Sequence, residues 1–378
     1  MSALSGVIVA DFSRVLAGPL AAMTLGDLGA NVIKVEPPGG DETRGWVPPV
    51  DAAGRSTYFQ TANRNKRSIT LDLKQEEDRA LAFELAMRAD VLIENFRPGT
   101  MARFGLDWET VHAAHPSLVY CSITGFGSGP GAAMPGYDPL IQALSGMMSI
   151  TGPPDGEASK VGVALVDVIA GLNASTGILA ALHDRKTMRQ GQLVEINLLS
   201  TALAALANQS SAFLNTGASP SRLGNVHPSI EPFSTYATAT GPIMICAGND
   251  RQFSQLAVTI GAPGLTDDPR FATNLDRVEN RAPLREELER RLGLDSVEYW
   301  AEALNDAGVP AGPVNDIGGG FGLAGNLELD PVTEIEGTRT TSSPIRLSGS
   351  PPERRFPPPD LDQHGEEIRE WLHAPREE

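Results

Sequence analysis

The sequence predicts an α/β protein with a large Rossmann-like domain built on a parallel sheet and a smaller inserted α+β domain. Three observations lead there. Short apolar runs alternate with helical stretches, the texture changes after about residue 218, and 378 residues exceed one ordinary domain. In chain order, 6–11 (GVIVAD) reads as a buried strand, 17–30 has helical spacing, and 31–36 (NVIKVE) returns to strand character. A second cycle follows, with strands at 67–73, 90–94 and 117–124 and helices at 75–89 and 107–114. A Gly/Pro-rich loop, 125–136, leads to an apolar helix at 165–186, whose final His183-Asp184-Arg185-Lys186 places cations at the negative end of its dipole. Residues 193–216 give a strand passing into a helix. Beyond them, 234–247 predicts a hairpin turning near Gly241-Pro242, 250–260 and 282–306 are helical, and 307–314 is a turn-rich crossing. The proline-rich tail 351–361 is expected to run as an extended strap. The domains are therefore placed at 1–221 and 222–325, with 326–378 returning to the first.

Composition narrows the function. Hydrophobic residues at 41% and charged residues at 20% exclude a wholly disordered chain. A net charge of −17 argues against nucleic-acid binding, so an anionic ligand needs a local basic patch working against the global field. Cys121 and Cys246 stand apart with no CxxC, and His112 and His115 lack any HExxH or carboxylate setting, so no metal is expected. The opening MSALSG carries no basic segment before an apolar stretch, and no run approaches eighteen apolar residues. A cytoplasmic protein without a membrane partner is expected. No Walker A, GxSxG or EF-hand sequence occurs.

Two stretches are basic. Residues 61–74 carry Arg64, Lys66, Arg67 and Lys74 against Asp72 alone, and 95–105 carries Arg97 and Arg103 with no acid, interleaved with Phe96 and Phe104. Both flank predicted strands, on the connections where α/β folds bind ligands. Forked guanidinium donors and aromatic faces together suit a phosphate-and-base ligand as well as they suit a solvated face. The cluster Gly125-Phe-Gly127-Ser-Gly129-Pro-Gly131 follows a strand, but it does not match GxGxxG and its prolines oppose an immediate helix, which disfavours a dinucleotide loop. Asp167 is a lone carboxylate in an apolar run at a helix start, either an N-cap or a nucleophile.

These motifs together resemble the class III CoA-transferases over nearly the whole chain. The matching stretches include VIVADFSRVLAGP, LGANVIKVEPPGGDETRG, NRNKRSITLDL, ADVLIENFRPGTMARFGLDW, SITGFGSGPGAAMPGYDPLIQALSG, GNVHPSIEPFSTY and AGVPAGPVND. Their shared order and spacing carry the resemblance more than any single one. It implies a Rossmann-like large domain, a smaller domain and an interlocked homodimer. It also implies that coenzyme A, delivered as acyl-CoA, is a substrate, with a carboxylic acid as acceptor. The family's catalytic Asp falls on Asp167, and its CoA-lining positions fall on Val15, Leu71, Lys74, Asn95, Phe96, Arg97, Arg103 and Phe104. The resemblance further implies an aspartyl anhydride and an aspartyl-CoA thioester on Asp167. In the oxalate-handling branch, Leu16 is a Gln, Pro37 is basic, and a glycine-rich lid stands where this chain has GNVHPSI. Those departures argue against formyl or oxalyl transfer.

The related 2-methylacyl-CoA racemases are an alternative. They place a His where this chain has Tyr137 in Gly136-Tyr137-Asp138, and tyrosine is a poor proton shuttle at neutral pH, which favours transfer. A non-catalytic acyl-CoA binder is the other alternative, against which the retained Asp167 counts. Asn225, His227 and Ser229 are candidates for the acceptor pocket, with turn formation an equal reading.

Overall fold

Six short strands form one parallel sheet: β1 (Ile8–Asp11), β2 (Asn31–Glu36), β3 (Lys66–Thr70), β4 (Val91–Glu94), β5 (Val119–Thr124) and β6 (Leu193–Asn197). Their order is β3-β2-β1-β4-β5-β6, so the chain reverses direction across the sheet between β1 and β4. The computed structural model describes residues 2–376. Alternate residues of each strand face opposite layers. Val9, Val32, Val91, Val119 and Cys121 enter one core, while Ala10, Ile33, Ile69, Leu92 and Tyr120 enter the other. Burial on both faces explains why the strands read as nearly continuous apolar runs.

The helices of this first half are α1 (Ala17–Asp27), α2 (Thr57–Gln60), α3 (Glu76–Arg88), α4 (Trp108–Ala114), α5 (Asp138–Leu144), α6 (Met147–Ile150), α7 (Leu165–Met188), α8 (Leu198–Ala205) and α9 (Ala207–Thr216). Helices α1, α7 and α8 supply the first core. Helices α3 and α4 supply the second, joined by α15 (Gly365–His373) from the C-terminus. Helix α7 is long and apolar enough to cross a membrane by length and composition. Here Val166, Ala170, Ala174, Ile178 and Ala181 bury one of its faces in the first core. Gly171 lets α7 meet α1 closely, because a Cβ there would lie 2.7 Å from the Ala17 carbonyl oxygen. That contact sets the start of α7 against the start of α1.

The chain divides into two compact units. One holds residues 2–148, 160–219 and 330–376, and the other holds 149–159 and 220–329. The second unit contains a three-stranded antiparallel sheet of β7 (Phe233–Ala237), β8 (Pro242–Cys246) and β9 (Ala311–Pro313). Around it lie α10 (Asp250–Thr259), α11 (Asn274–Glu279), α12 (Arg281–Leu292), α13 (Val297–Asp306) and α14 (Ile317–Asn326). The turn-rich crossing 307–314 thus contains an edge strand, where Pro313 is tolerated. Helix α14 was not signalled by its sequence, IGGGFGLAGN, since each glycine disfavours helix by about 1 kcal/mol. The Asp316 carboxylate starts it by accepting the Gly319 N–H at 2.7 Å.

A hairpin of β10 (Val332–Ile335) and β11 (Thr338–Thr341) returns the chain to the first unit. The proline-rich strap then follows extended, tied down by Asn65: its Nδ2 donates to the Glu353 carbonyl, and its Oδ1 accepts the Arg355 and Phe356 N–H groups.

Candidate active site

Open α/β sheets bind ligands beyond the carboxyl ends of their strands where the strand order reverses. A cleft of about 220 Å³ lies there, walled by Arg14, Val15 and Leu16 after β1, Asn95, Phe96 and Arg97 after β4, and the 124–137 segment after β5. Asp167 of α7 completes it. The structure therefore brings Val15, Asn95, Phe96, Arg97 and Asp167 around one space.

The two walls at the reversal are tied through Asn95. Its Oδ1 accepts the Arg14 N–H at 2.8 Å and its Nδ2 donates to the Arg14 carbonyl at 2.7 Å. This clasp precedes Val15, whose φ of 69° is a left-handed conformation rarely taken by a β-branched residue. Such strain persists only where neighbours over-determine it. Asn95→Ala is accordingly expected to lower stability by about 1–2 kcal/mol and to raise the KM for the bound ligand, checked by thermal denaturation and initial rates. Glu94, 6% exposed, accepts the Phe96 N–H at 2.8 Å and fixes the same turn. Burial pushes its carboxyl up to about 7.

The glycine-rich segment is a loop closed at its neck. A Cβ on Gly125 would lie 2.7 Å from the Gly136 Cα, and one on Gly136 would lie 2.5 Å from the Gly125 Cα, so only two glycines can cross there. No helix follows at once. The chain reaches α5 at Asp138, consistent with a tight connection rather than a dinucleotide loop.

Asp138 positions Asp167. Its Oδ2 accepts the N–H groups of Val166 at 2.7 Å and Asp167 at 3.1 Å, occupying the amide donors at the start of α7. Its Oδ1 accepts Gln142 Nε2, and Gln142 Oε1 accepts the Val161 N–H, so α5 clamps the approach to α7. Asp167 lies in the first turn of α7 and does not cap it; the N-cap reading of this residue is corrected by Asp138 in that role. Burial, followed by the neighbouring Asp138 charge, pushes the Asp167 carboxyl up to about 7. A half-buried carboxylate in this state still ionises near neutrality and is chemically able to serve as an oxygen nucleophile.

The basic stretch 61–74 is largely occupied elsewhere. Arg64 pairs with Asp27 at 2.6 Å, Lys66 with Asp11 at 2.8 Å and Arg67 with Glu367 at 2.6 Å, the first two buried. Of its cations, Lys74 alone is exposed and makes none of the ion pairs found among the described residues. Leu71 is 1% exposed and its side chain packs in the second core, so its side chain faces no cleft. Arg97 and Arg103 are exposed, Arg103 within 3.4 Å of the Thr100 hydroxyl, and Phe104 packs partly against the second core. In the second unit, Asn225 donates to the Thr235 hydroxyl, and His227 accepts the Ser229 N–H. His227 and Ser229 thus serve their own turn, while Asn225 ties that turn to β7. Arg14, Glu42 and Asp138 were not singled out by sequence, because what brings each to the cleft lies far along the chain: Asn95 and Phe96 for Arg14, the β1 wall for Glu42, and the start of α7 for Asp138. Among the described residues, no group of three His, Cys, Asp or Glu stands ready to hold a metal ion.

A Rossmann-ordered sheet with a half-buried carboxylate at its reversal defines a class that the sequence profile identifies: the chain belongs to CoA-transferase family III, matched over residues 4–365. It is 42% identical to the succinate–glutarate CoA-transferase of Agrobacterium fabrum, over 97% of this chain and 94% of that one. It is 40% identical to the acetyl-CoA:oxalate CoA-transferase of Acetobacter aceti, over 98% and 96%. Among solved structures, a CAIB/BAIF family protein from Brucella suis superposes with a TM-score of 0.89 at 42% identity, covering 98% of this chain and 99% of that one. The α/β fold class and the family expected from the sequence are both borne out.

Proposed function

We propose that this chain moves CoA from an acyl-CoA thioester to a free carboxylic acid, with Asp167 as the covalent carrier. The observation that carries the reading is the half-buried Asp167 carboxylate, pushed up to about 7, facing a cleft at the reversal of the sheet. The names of the relatives, which pair acyl-CoA donors with succinate, glutarate or oxalate, support it.

In the proposed sequence, the Asp167 carboxylate attacks the thioester carbonyl and expels CoA thiolate, leaving a mixed anhydride. The thiolate attacks the Asp167 carbonyl of that anhydride and expels the donor acid as its carboxylate, leaving an aspartyl-CoA thioester. The acceptor carboxylate attacks that thioester, regenerating thiolate and a second anhydride. Thiolate then attacks the acceptor carbonyl, releasing the new acyl-CoA and the free Asp167 carboxylate. Each step exchanges one activated acyl bond for another, so no step requires a separate energy source. Incubation with succinyl-CoA followed by peptide mass spectrometry is expected to show a hydroxylamine-sensitive adduct on Asp167. Reversible binding alone would leave a silent acyl-CoA binder. Exchange of an α-proton in deuterated water without an acceptor acid would instead identify a racemase.

The CoA-lining assignments belong to the same proposal, with Val15, Asn95, Phe96 and Arg97 at the cleft and Lys74, Arg103 and Phe104 beyond it. Leu71 would take part through its main chain. Neutralising Lys74, Arg97 and Arg103 together is expected to raise the KM for acyl-CoA about tenfold or more while moving Tm by no more than about 2 °C. An unchanged KM would leave these cations as a solvated surface. The exposed apolar side chains Phe213 and Leu214 on α9 and Ile317 and Phe321 on α14 support the interlocked homodimer, which is likewise part of the proposal. Oxalate is to be tested as an acceptor beside glutarate, because the Acetobacter relative is named for it at 40% identity.

A further inference from the structure

Arg14 is the cleft cation whose backbone is anchored while its guanidinium makes no hydrogen bond among the described residues. Its main chain is held in both directions by Asn95. Its guanidinium lies over the Phe96 ring, 5.0 Å from the centroid, which holds the charge against that face. The donors themselves are uncommitted. The Nε is buried and has no hydrogen-bond partner, and Nη1 reaches Glu42 only at 3.9 Å, too far for a hydrogen bond. A buried orphan donor is unfavourable, and an arginine fork held on a ring suits a planar carboxylate.

The other fixed charges around the cleft sharpen what it would take. Glu42 and Asp167 are both acidic, so an anionic acyl group entering this space is repelled unless a cation meets it. Arg97 also lines the cleft, but it is exposed and without a comparable anchor. The relatives named for succinate and glutarate point to a short acid.

We infer that Arg14 binds the distal carboxylate of a short dicarboxylic acid, both as the acyl group of the donor thioester and as the free acceptor. The inference rests on the proposed transfer at Asp167, where the other carboxyl carbon reacts. Arg14 is a specificity-determining residue in this account, acting on the acid and not on the nucleotide.

The test uses Arg14→Gln and Arg14→Lys in the full chain, with succinyl-CoA as donor, glutarate and butyrate as acceptors, and free CoA as a separate ligand. For Arg14→Gln, the KM for succinyl-CoA and for glutarate is expected to rise about 10- to 100-fold. Its Kd for free CoA is expected to stay within about threefold, and the preference for glutarate over butyrate to collapse. Arg14→Lys, which keeps a charge but not the fork, is expected to fall between, and it carries the test if Arg14→Gln does not fold. A rise in the Kd for free CoA equal to the rise in KM would place Arg14 at the nucleotide and overturn the inference. So would unchanged constants, or a fall in kcat with unchanged KM. Absence of an Asp167 adduct in the unsubstituted protein would overturn the transfer reading itself, and so distinguishes the two failures.

Discussion

Asp167→Ala is expected to abolish CoA transfer, lowering turnover by about 10⁴-fold or more, while the protein still folds and binds CoA. The effect is large because no other residue described at the cleft offers an oxygen nucleophile at the same position. Glu42 faces the cleft from the segment after β2, and Asp138 is committed to the amides of α7. The unsubstituted enzyme is expected to show a matching pH dependence. Attack needs the ionised carboxylate, so kcat/KM rises about tenfold per pH unit below about 7 and levels above it.

Stability runs the other way. A folded-state value near 7 lies above the unfolded reference of about 4, so between those pH values the folded protein holds more protons than the unfolded one. Stability therefore falls as pH rises through that window. Asp167→Asn, which stays neutral, is expected to be more stable than its parent above pH 7, by about 2 kcal/mol after allowing for solvent screening. Equal Tm values at pH 8 would contradict the burial argument. Substantial remaining turnover in Asp167→Ala would contradict the nucleophile.

The second large effect lies beneath the β1 wall. Asp11, Lys34 and Lys66 are each 0% exposed. Lys66 Nζ donates to Asp11 Oδ2, the Pro19 carbonyl and Asn63 Oδ1, while Lys34 Nζ donates to the Ser13 carbonyl and Asp41 Oδ2. Burial opposes the charge on Asp11, but the Lys66 and Lys34 ammoniums outweigh it and hold the carboxyl below its usual range. Burial pushes Lys66 down to about 8, with Asp11 resisting. Removing one member strands a charge in the core, so Asp11→Asn or Lys66→Met is expected to cost about 3–5 kcal/mol and about 10 °C in Tm. Asp11→Leu with Lys66→Met removes both charges together and is expected to destabilise less than either single change. A double variant with the summed loss would show that the pair is not coupled.

This network explains what was legible in the sequence. The sheet was readable because strands buried on both faces must be apolar along their length. The family followed from ordered motifs, and Asp167 from a lone acid in an apolar run. Most of the charge counted at 61–74 is internally paired, and the sequence did not show this because counting charges over a window ignores partners such as Asp27, 37 residues before Arg64, and Asp11, 55 residues before Lys66. Arg14 was passed over for the same reason in reverse: a single arginine between Ser13 and Val15 carries no local signal until Asn95 and Phe96 close on it. Helix α14 and the edge strand β9 were hidden by glycine and proline, whose propensities were overridden by a capping carboxylate and by an edge position.

The glycine crossing at Gly125 and Gly136 has a consequence for how such a protein diversifies. Because the loop is pinched where it leaves β5 and where it enters α5, the residues between form an exchangeable cassette with fixed ends. Lengthening a surface loop by a few residues costs little, since closure entropy grows only logarithmically with length. Changes within 126–135 can therefore reshape one wall of the cleft without disturbing Asp138 or the start of α7. The start of α7 that carries Asp167 and the loop that forms one wall of the cleft are thus separable parts of one chain.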